Sequence, residues 1–133
     1  MTYPVNTNLA YKQILQAHDL QQQLTSTNIA NANTPGYKAS TVNLGESFSQ
    51  ILSGERKRIS MSRTSVMHIG DSKFGSSTIN VSRVLGEEKP NGNNVNLAEE
   101  TLRASKNEVD RSVALKEYDT LNRLVTLSIG SRG

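Results

Sequence analysis

Apolar residues recur at spacings of three and four from Ala10 through Ile14, Ala17, Leu20 or Gln21, and Leu24, with Leu9, Tyr11 and Leu15 widening the stripe. That period belongs to an α-helix, so residues from about Asn8 to Asn31 are expected to be helical. Lys12, Gln16, Asp19 and Gln23 occupy the opposite face. Asn6 or Asn8 can cap the start, because a short side-chain oxygen accepts from the free N–H groups of a first turn. About 24 residues at 1.5 Å each make a rod of roughly 36 Å whose stripe needs a partner.

The stripe then turns polar. Asn28 and Asn31 lie three apart, near the extension of the Leu24 face. Asparagine buried at a helix seam fixes register at some cost in stability; exposed, the same pair would mark a fraying helix end, and periodicity leaves both readings open. Thr34-Pro35-Gly36-Tyr37 ends the helix. Proline disfavours helical geometry at Thr34, Pro-Gly suits the central positions of a type II turn, and Tyr37 follows as an anchor.

The pattern weakens through the middle. Phe48, Ile51 and Leu52 have helical spacing, which allows a short helix from Glu46 to Leu52, although Gly45, Gly54 and several serines dilute it. Ile59 and Met61, then Ile79 and Val81 (with extension to Arg83), alternate with polar residues as strands do. A small hairpin or loose β-element with long loops is expected over residues 55–89. Lys89-Pro90-Asn91-Gly92-Asn93-Asn94 is rich in turn residues. A second helix should run from Leu97 to Ile129, roughly 50 Å long. Asn96 is its N-cap, with Glu99 at the third helical position, Glu100 beside it, and Gly130 just past the end. Leu102, Val109 and Val113 form one stripe, which Tyr118, Leu121, Leu124, Val125 and Ile129 continue on a drifting face.

The fold class is therefore mainly α: long N- and C-terminal helices forming a coiled-coil-like hairpin, with a small β-flavoured, loop-rich middle. The expected division is 1–36 for the first helix and Pro-Gly turn, 37–94 for the centre, and 95–133 for the second helix. The two helices would pair antiparallel into one core and still leave apolar surface, so oligomerisation is expected.

Composition strengthens that expectation. Only 35% of the 133 residues are hydrophobic, 5% are aromatic and tryptophan is absent. A single-core globule of this size normally carries more apolar surface, so the chain should either be thin and elongated and complete its core against neighbours, or be a partly disordered monomer. A net charge of +3 from 15 basic and 12 acidic residues is too mild to imply nucleic acid. The basic cluster Arg56-Lys57-Arg58, with Arg63 nearby, lacks the interleaved aromatics that stack bases. The absence of cysteine removes disulfides and thiol chemistry and argues against zinc. Met1-Thr2-Tyr3-Pro4-Val5-Asn6 has neither a basic nor an apolar leader segment, so no Sec signal is expected, and no apolar run approaches a membrane span.

Catalytic motifs are missing: no phosphate-binding glycine loop, no H-E-x-x-H and no G-x-S-x-G. His18 is read as a surface or interface residue, and His68 has no carboxylate spacing that would make a metal site. Asn80-Val81-Ser82 fits a glycosylation acceptor, a tripeptide common by chance. No catalytic, cofactor or metal residue is assigned, and no enzyme activity is expected.

One run is more specific than its composition. Asn28-Ile29-Ala30-Asn31-Ala32-Asn33-Thr34-Pro35-Gly36-Tyr37 closely resembles the signature near the N-terminus of flagellar rod and hook proteins. Within that group the chain resembles the FlgB family of proximal rod proteins. The length fits a short rod subunit. Ser62-Arg63-Thr64-Ser65-Val66-Met67-His68-Ile69 resembles the family's central Arg/Lys-Thr-x-x-x-His-apolar stretch. Asn91-Gly92-Asn93-Asn94-Val95-Asn96-Leu97-Ala98-Glu99-Glu100 resembles its N-G-N-x-V-[DN]-L-x-x-E approach to the C-terminal helix. The FlgC family is the near alternative; of its Ala-Ser-Arg-x-Tyr run only Ala104-Ser105-Lys106 is echoed. Departures from FlgB are Thr101, where methionine is frequent, and Glu108-Val109-Asp110 after Asn107, where an aromatic is frequent.

The resemblance implies a structural subunit of the proximal rod. Such subunits cross the flagellar type III export gate unfolded, assemble helically in the periplasm above the gate and the MS ring, and transmit torque. Implied partners are further copies, FlgC- and FlgF-type rod proteins, a FliE-type adaptor, the MS-ring protein and the export gate, with no nucleic acid, no cofactor and no membrane span. It implies that Leu24, Asn28, Ile29, Asn31, Asn33, Pro35, Gly36 and Tyr37, with Leu121, Leu124 and Val125, serve assembly and packing, and it favours the seam reading for Asn28 and Asn31. The non-flagellar alternative is a secreted helical-hairpin adaptor.

Overall fold

The computed structural model describes residues 7–53 and 79–130. Helix α1 spans Thr7–Ala30, strand β1 Ser40–Val42, helix α2 Leu44–Ser53, strand β2 Val81–Arg83 and helix α3 Leu97–Gly130. The fold class is the one the pattern predicts: mainly helical, with a long helix towards each end and a small strand-and-loop middle. The basic cluster at Arg56–Arg58, Ile59, Met61, the Ser62–Ile69 stretch with His68, and Asn6 lie outside the described residues.

Helices α1 and α3 run antiparallel. Asn28 meets Glu100, His18 meets Asn107, Asp19 meets Arg111 and Tyr11 meets Glu117 and Tyr118. On α1 the buried residues are Ala10, Ala17, His18, Gln21, Thr25 and Asn28, spaced as the N-terminal stripe predicts. Asn8 lies inside the helix, so it is not the cap. The last turn tightens, with Asn31 N–H donating to both Thr27 O (3.1 Å) and Asn28 O (3.2 Å).

Helix α3 starts as expected. The Asn96 side-chain oxygen accepts from Ala98 N–H at 3.1 Å and Glu99 N–H at 3.4 Å, with Glu99 and Glu100 in the first turn. Its face, however, is not the expected one. The residues buried against α1 are Glu100, Asn107 and Ala114, seven apart. Leu102 is 70% exposed and Val109 63%, and Val113, Leu124, Val125 and Ile129 are also exposed. Tyr118 and Leu121 are half-buried. Periodicity identifies residues that share a face, and hydrophobicity says that such a face wants covering, but neither says that the cover comes from the same chain. Gly130 is the last described helical residue and its φ is not positive, so it is not a left-handed terminator.

Strand β2 includes Val81 and Arg83 as expected, yet its partner is β1 rather than a neighbour within 55–89. The pair is antiparallel, with Ser40 opposite Arg83, Thr41 opposite Ser82 and Val42 opposite Val81. Strand β1 is three residues long, too short to show a period of two. Helix α1 holds it: Gln21 Oε1 accepts from Val42 N–H (2.8 Å) and from the Thr41 hydroxyl (2.9 Å). Helix α2 is capped by Asn43, whose side chain accepts from Glu46 N–H (3.2 Å) and donates to the Glu46 carboxylate (3.1 Å). It buries Ile51 and sets Phe48 against the ring of His18, centroids 5.3 Å apart. The buried apolar side chains are mostly small: Ala32, Ala39 and Val95 form one cluster, with Tyr37 and Val84 packed alongside, and Ala10, Ala17, Val42, Ile51 and Ala114 are buried elsewhere among the described residues.

Candidate assembly site: an amide network at the helix–turn junction

The polar end of α1 is where the structure concentrates its hydrogen bonds. An asparagine amide offers two N–H donors and an oxygen with two lone pairs. Asn28, 0% exposed, uses all four. Its nitrogen donates to Ser40 O (2.8 Å) and Glu100 Oε2 (3.1 Å). Its oxygen accepts from the Tyr37 hydroxyl (3.1 Å) and Ser40 N–H (3.1 Å). One side chain therefore ties α1, the turn, the start of β1 and α3 together. Glu100, 2% exposed, is paired on its other oxygen with Arg103 one turn along. A buried carboxylate needs this pairing to offset its desolvation.

Two turns stand back to back beside it. Tyr37 N–H donates to Thr34 O at 3.2 Å, and Gly36 takes φ +72°, so Thr34–Tyr37 is a type II turn with Pro35 and Gly36 at its centre. Lys89–Gly92 forms the second turn, with Gly92 N–H donating to Lys89 O at 2.8 Å and Gly92 at φ +78°. Gly36 N–H donates across to Asn91 O at 2.9 Å. A Cβ on Gly92 would lie 3.4 Å from Gly36 Cα, so the two glycines touch. Asn93 closes the gap. Its nitrogen donates to Asn31 O (2.9 Å) and Thr34 O (2.8 Å), and its oxygen accepts from Val95 N–H (2.8 Å). Asn94 links Ala39 N–H (2.7 Å) to Val84 O (2.8 Å). Lys38 reaches Gly92 O at 2.8 Å and pairs with Glu88.

The amide theme continues along the helix pair. Asn107 donates to His18 O (2.9 Å) and Gln22 Oε1 (3.3 Å), and its oxygen lies 2.8 Å from His18 Nδ1. Because the Asn107 nitrogen is committed to those acceptors, its oxygen is the acceptor for the imidazole, and His18 carries its proton on Nδ1. Burial and the nearby Glu100 carboxylate raise the Tyr37 phenol above its ordinary value of 10.0. Burial and then Glu117, as a charge and as a hydrogen-bond partner, do the same to Tyr11.

Of the residues expected to serve packing, the structure brings Asn28, Asn31, Pro35, Gly36 and Tyr37 into this junction. Asn31 is half-buried and acts locally, its side chain bonding Thr27 O (2.8 Å) and the Thr34 hydroxyl (3.2 Å). Leu24 is half-buried, whereas Ile29 and Asn33 are exposed. Leu121, half-buried, and Leu124 and Val125, exposed, lie near the far end of α3, roughly 30 Å away. Pattern reading missed Gln21, Asn93, Asn94 and Asn107 as network members, placed Glu100 only at a helix start, and left His18 at a surface or interface. The signal available was the seven-residue spacing of Glu100, Asn107 and Ala114, which an apolar search passes over.

This arrangement holds backbone segments in place. Among the described residues no cluster of His, Asp and Glu could hold a metal ion, and no helix is long and apolar enough to cross a membrane.

A family model described as "Flagella basal body rod protein" matches residues 15–38, the second half of α1 and the Pro-Gly turn. The matched stretch runs into the junction itself, and the class it points to is that of flagellar basal-body rod proteins. Three relatives carry the comparison further. The chain is 29% identical over 119 residues to the flagellar basal body rod protein FlgB of Bacillus subtilis (strain 168), covering 89% of each chain. It is 30% identical over 100 residues to FlgB of Buchnera aphidicola subsp. Acyrthosiphon pisum, covering 74% of this chain and 75% of that one. Against FlgB of Buchnera aphidicola subsp. Baizongia pistaciae it is 37% identical over 62 residues, spanning 46% of that protein. The chain belongs to the FlgB family of flagellar basal body rod proteins.

Proposed function

We propose that this chain is a subunit of the proximal rod that polymerises helically in the periplasm, above the MS ring and the export gate, and passes motor torque outward. The observation that supports this reading is the inverted helix pair. The face of α3 turned to α1 is polar, and the apolar residues Leu102, Val109, Val113, Leu124 and Leu127 are exposed. A stripe of that kind wants neighbours, and heterologous contacts that do not close generate a helical array. Asn28, Asn31, Pro35, Gly36 and Tyr37 hold the angle between the helix pair and the centre. Leu24, Ile29, Asn33, Leu121, Leu124 and Val125 meet adjacent subunits: further copies, FlgC- and FlgF-type rod proteins, a FliE-type adaptor, or the MS-ring protein and export gate at the base. Subunits cross the flagellar type III gate unfolded, and buried apolar residues that are mostly alanine among the described residues suit a chain that completes its folding on assembly. The role is structural, without enzyme activity.

Deleting the gene tests the reading. Cells should build MS rings without rods and should not swim. Complementation with the Leu102→Asp, Val109→Asp double variant should fail although the protein is made and exported. Complete rods in the deletion strain, or full motility from the double variant, would overturn it.

A further inference from the structure

At the open end of the hairpin, away from the amide junction, α1, α2 and α3 enclose a groove of about 530 Å³. Tyr11, Ile14, Phe48, Leu52 and Val113 supply much of its apolar lining, and the α3 side carries Asp110 and Glu117. Glu117 accepts from the Tyr11 hydroxyl at 3.2 Å. Asp110 is exposed and has no ion-pair partner among the described residues. The groove is therefore apolar at its floor and negative at one rim. Any occupant should be an apolar helix with a positive charge and no negative one at its contact face.

Among the described residues, the C-terminal end of α3 is such a segment. Residues 123–130 of α3 are all exposed. They include Leu124, Val125, Leu127 and Ile129, and between Thr120 and Gly130 the only charged residue is Arg123. The lengths also agree. The groove runs along α1 from Thr7 to His18, about 17 Å of helix, and residues 121–130 span about 14 Å. The α3 stripe around Leu102 and Val109 fits less well, because Glu108 and Asp110 interrupt it with negative charge.

We propose that the groove receives the C-terminal end of α3 from a second copy of this chain, with Arg123 set against Asp110 and Glu117. The contact is head to tail, so each copy offers both a groove and an end, and copies add in a helical array wherever the rotation between them does not close a ring. The inference rests on the assembly reading above only for the presence of a second copy.

The chain has no native cysteine, which makes a crosslinking test direct. Full-length Leu52→Cys and Leu127→Cys proteins are mixed and mildly oxidised. A mixed disulfide is expected severalfold above that from Leu102→Cys with Leu127→Cys. Arg123→Glu in the Leu127→Cys protein should lower the yield severalfold, and Asp110→Arg in the Leu52→Cys protein should restore it. Equal yields for the two mixtures, or indifference to Arg123→Glu, would overturn the docking. So would protection of Leu52→Cys from a thiol reagent in the dilute monomer, which would mean that the chain covers its own groove. If the Leu102→Cys mixture crosslinks and the Leu52→Cys mixture does not, assembly stands and this docking falls. If no pair crosslinks and the chain stays monomeric at all concentrations, self-assembly falls with it.

Discussion

The two ends of the helical hairpin solve different problems. At the junction end, where α1 finishes and α3 begins, almost every polar group has a partner inside the chain, and Asn28, Glu100 and Asn93 are shut away from solvent. At the open end, α3 runs on past its packing with α1 and leaves Leu124, Val125, Leu127 and Ile129 exposed. Hydrogen bonds are directional and leave a buried group at a loss when broken, so a network of them specifies one geometry. Apolar contact is non-directional and grows with area, so it suits a surface that is completed by whichever neighbour arrives. One end sets the shape of the subunit, and on the proposed assembly the other leaves its energy to be gained on association.

The largest effect expected from breaking this contrast is at Asn28. Asn28→Leu strands one buried Glu100 oxygen, which costs about 1–3 kcal/mol, and leaves the part-buried Ser40 backbone and Tyr37 hydroxyl without their partner. The folding free energy, followed by circular dichroism in an osmolyte or urea titration, should fall by about 3 kcal/mol. Asn33→Ala, exposed in the same motif, should not move it.

Next come the paired turns. Gly36→Val forces a β-branched residue into φ +72° and should destabilise by about 1–2 kcal/mol. Gly92→Ala carries the same conformational cost and also brings a Cβ to 3.4 Å from Gly36, so the same titration should show it at least as harmful as Gly36→Ala.

The alkaline limb gives a smaller effect. Tyr37 is raised above 10.0 in the folded chain by burial and then by Glu100. A phenol whose folded value lies above its unfolded value contributes stability in full below the unfolded value, and loses it as pH rises through the folded one. Stability should therefore fall above about pH 10, and Tyr37→Phe should flatten that fall in titrations run from pH 9 to 11.

The smallest effects belong to the exposed parts. Arg111→Ala breaks the 2.7 Å pair with Asp19, which is solvent-exposed and contributes about 0–1 kcal/mol. Leu102→Asp should leave the folding midpoint of the monomer within about 0.5 kcal/mol while abolishing rod assembly. A large loss of monomer stability from Leu102→Asp would erase the distinction between the two ends.

Some of this was readable along the chain. Helix α1, the start of α3 with its Asn96 cap, and the Pro35-Gly36 turn all follow from local rules, since caps, turns and periods depend on residues within a few positions of each other. The resemblance carried by Asn28–Tyr37 reached the family for the same reason, because its information is contiguous. The pairing of β1 with β2 was not readable: three residues give no period, and their hydrogen bonds come from Gln21 and Asn28, about twenty and twelve positions upstream.

What the sequence determined by itself is therefore the pair of long helices, the turn between the first helix and the centre, and the shortage of apolar material for a closed core. Only the tertiary structure decided which face of α3 looks inward. Glu100 and Asn107 are turned to α1 because Asn28, His18 and Gln22 offer the matching donors and acceptors, Ala114 follows on the same face, and Leu102 and Val109 are left outside. The physical reason is that a polar side chain is costly or favourable to bury according to its partner, and the partner lies about ninety residues away for Asn107 and about seventy for Glu100.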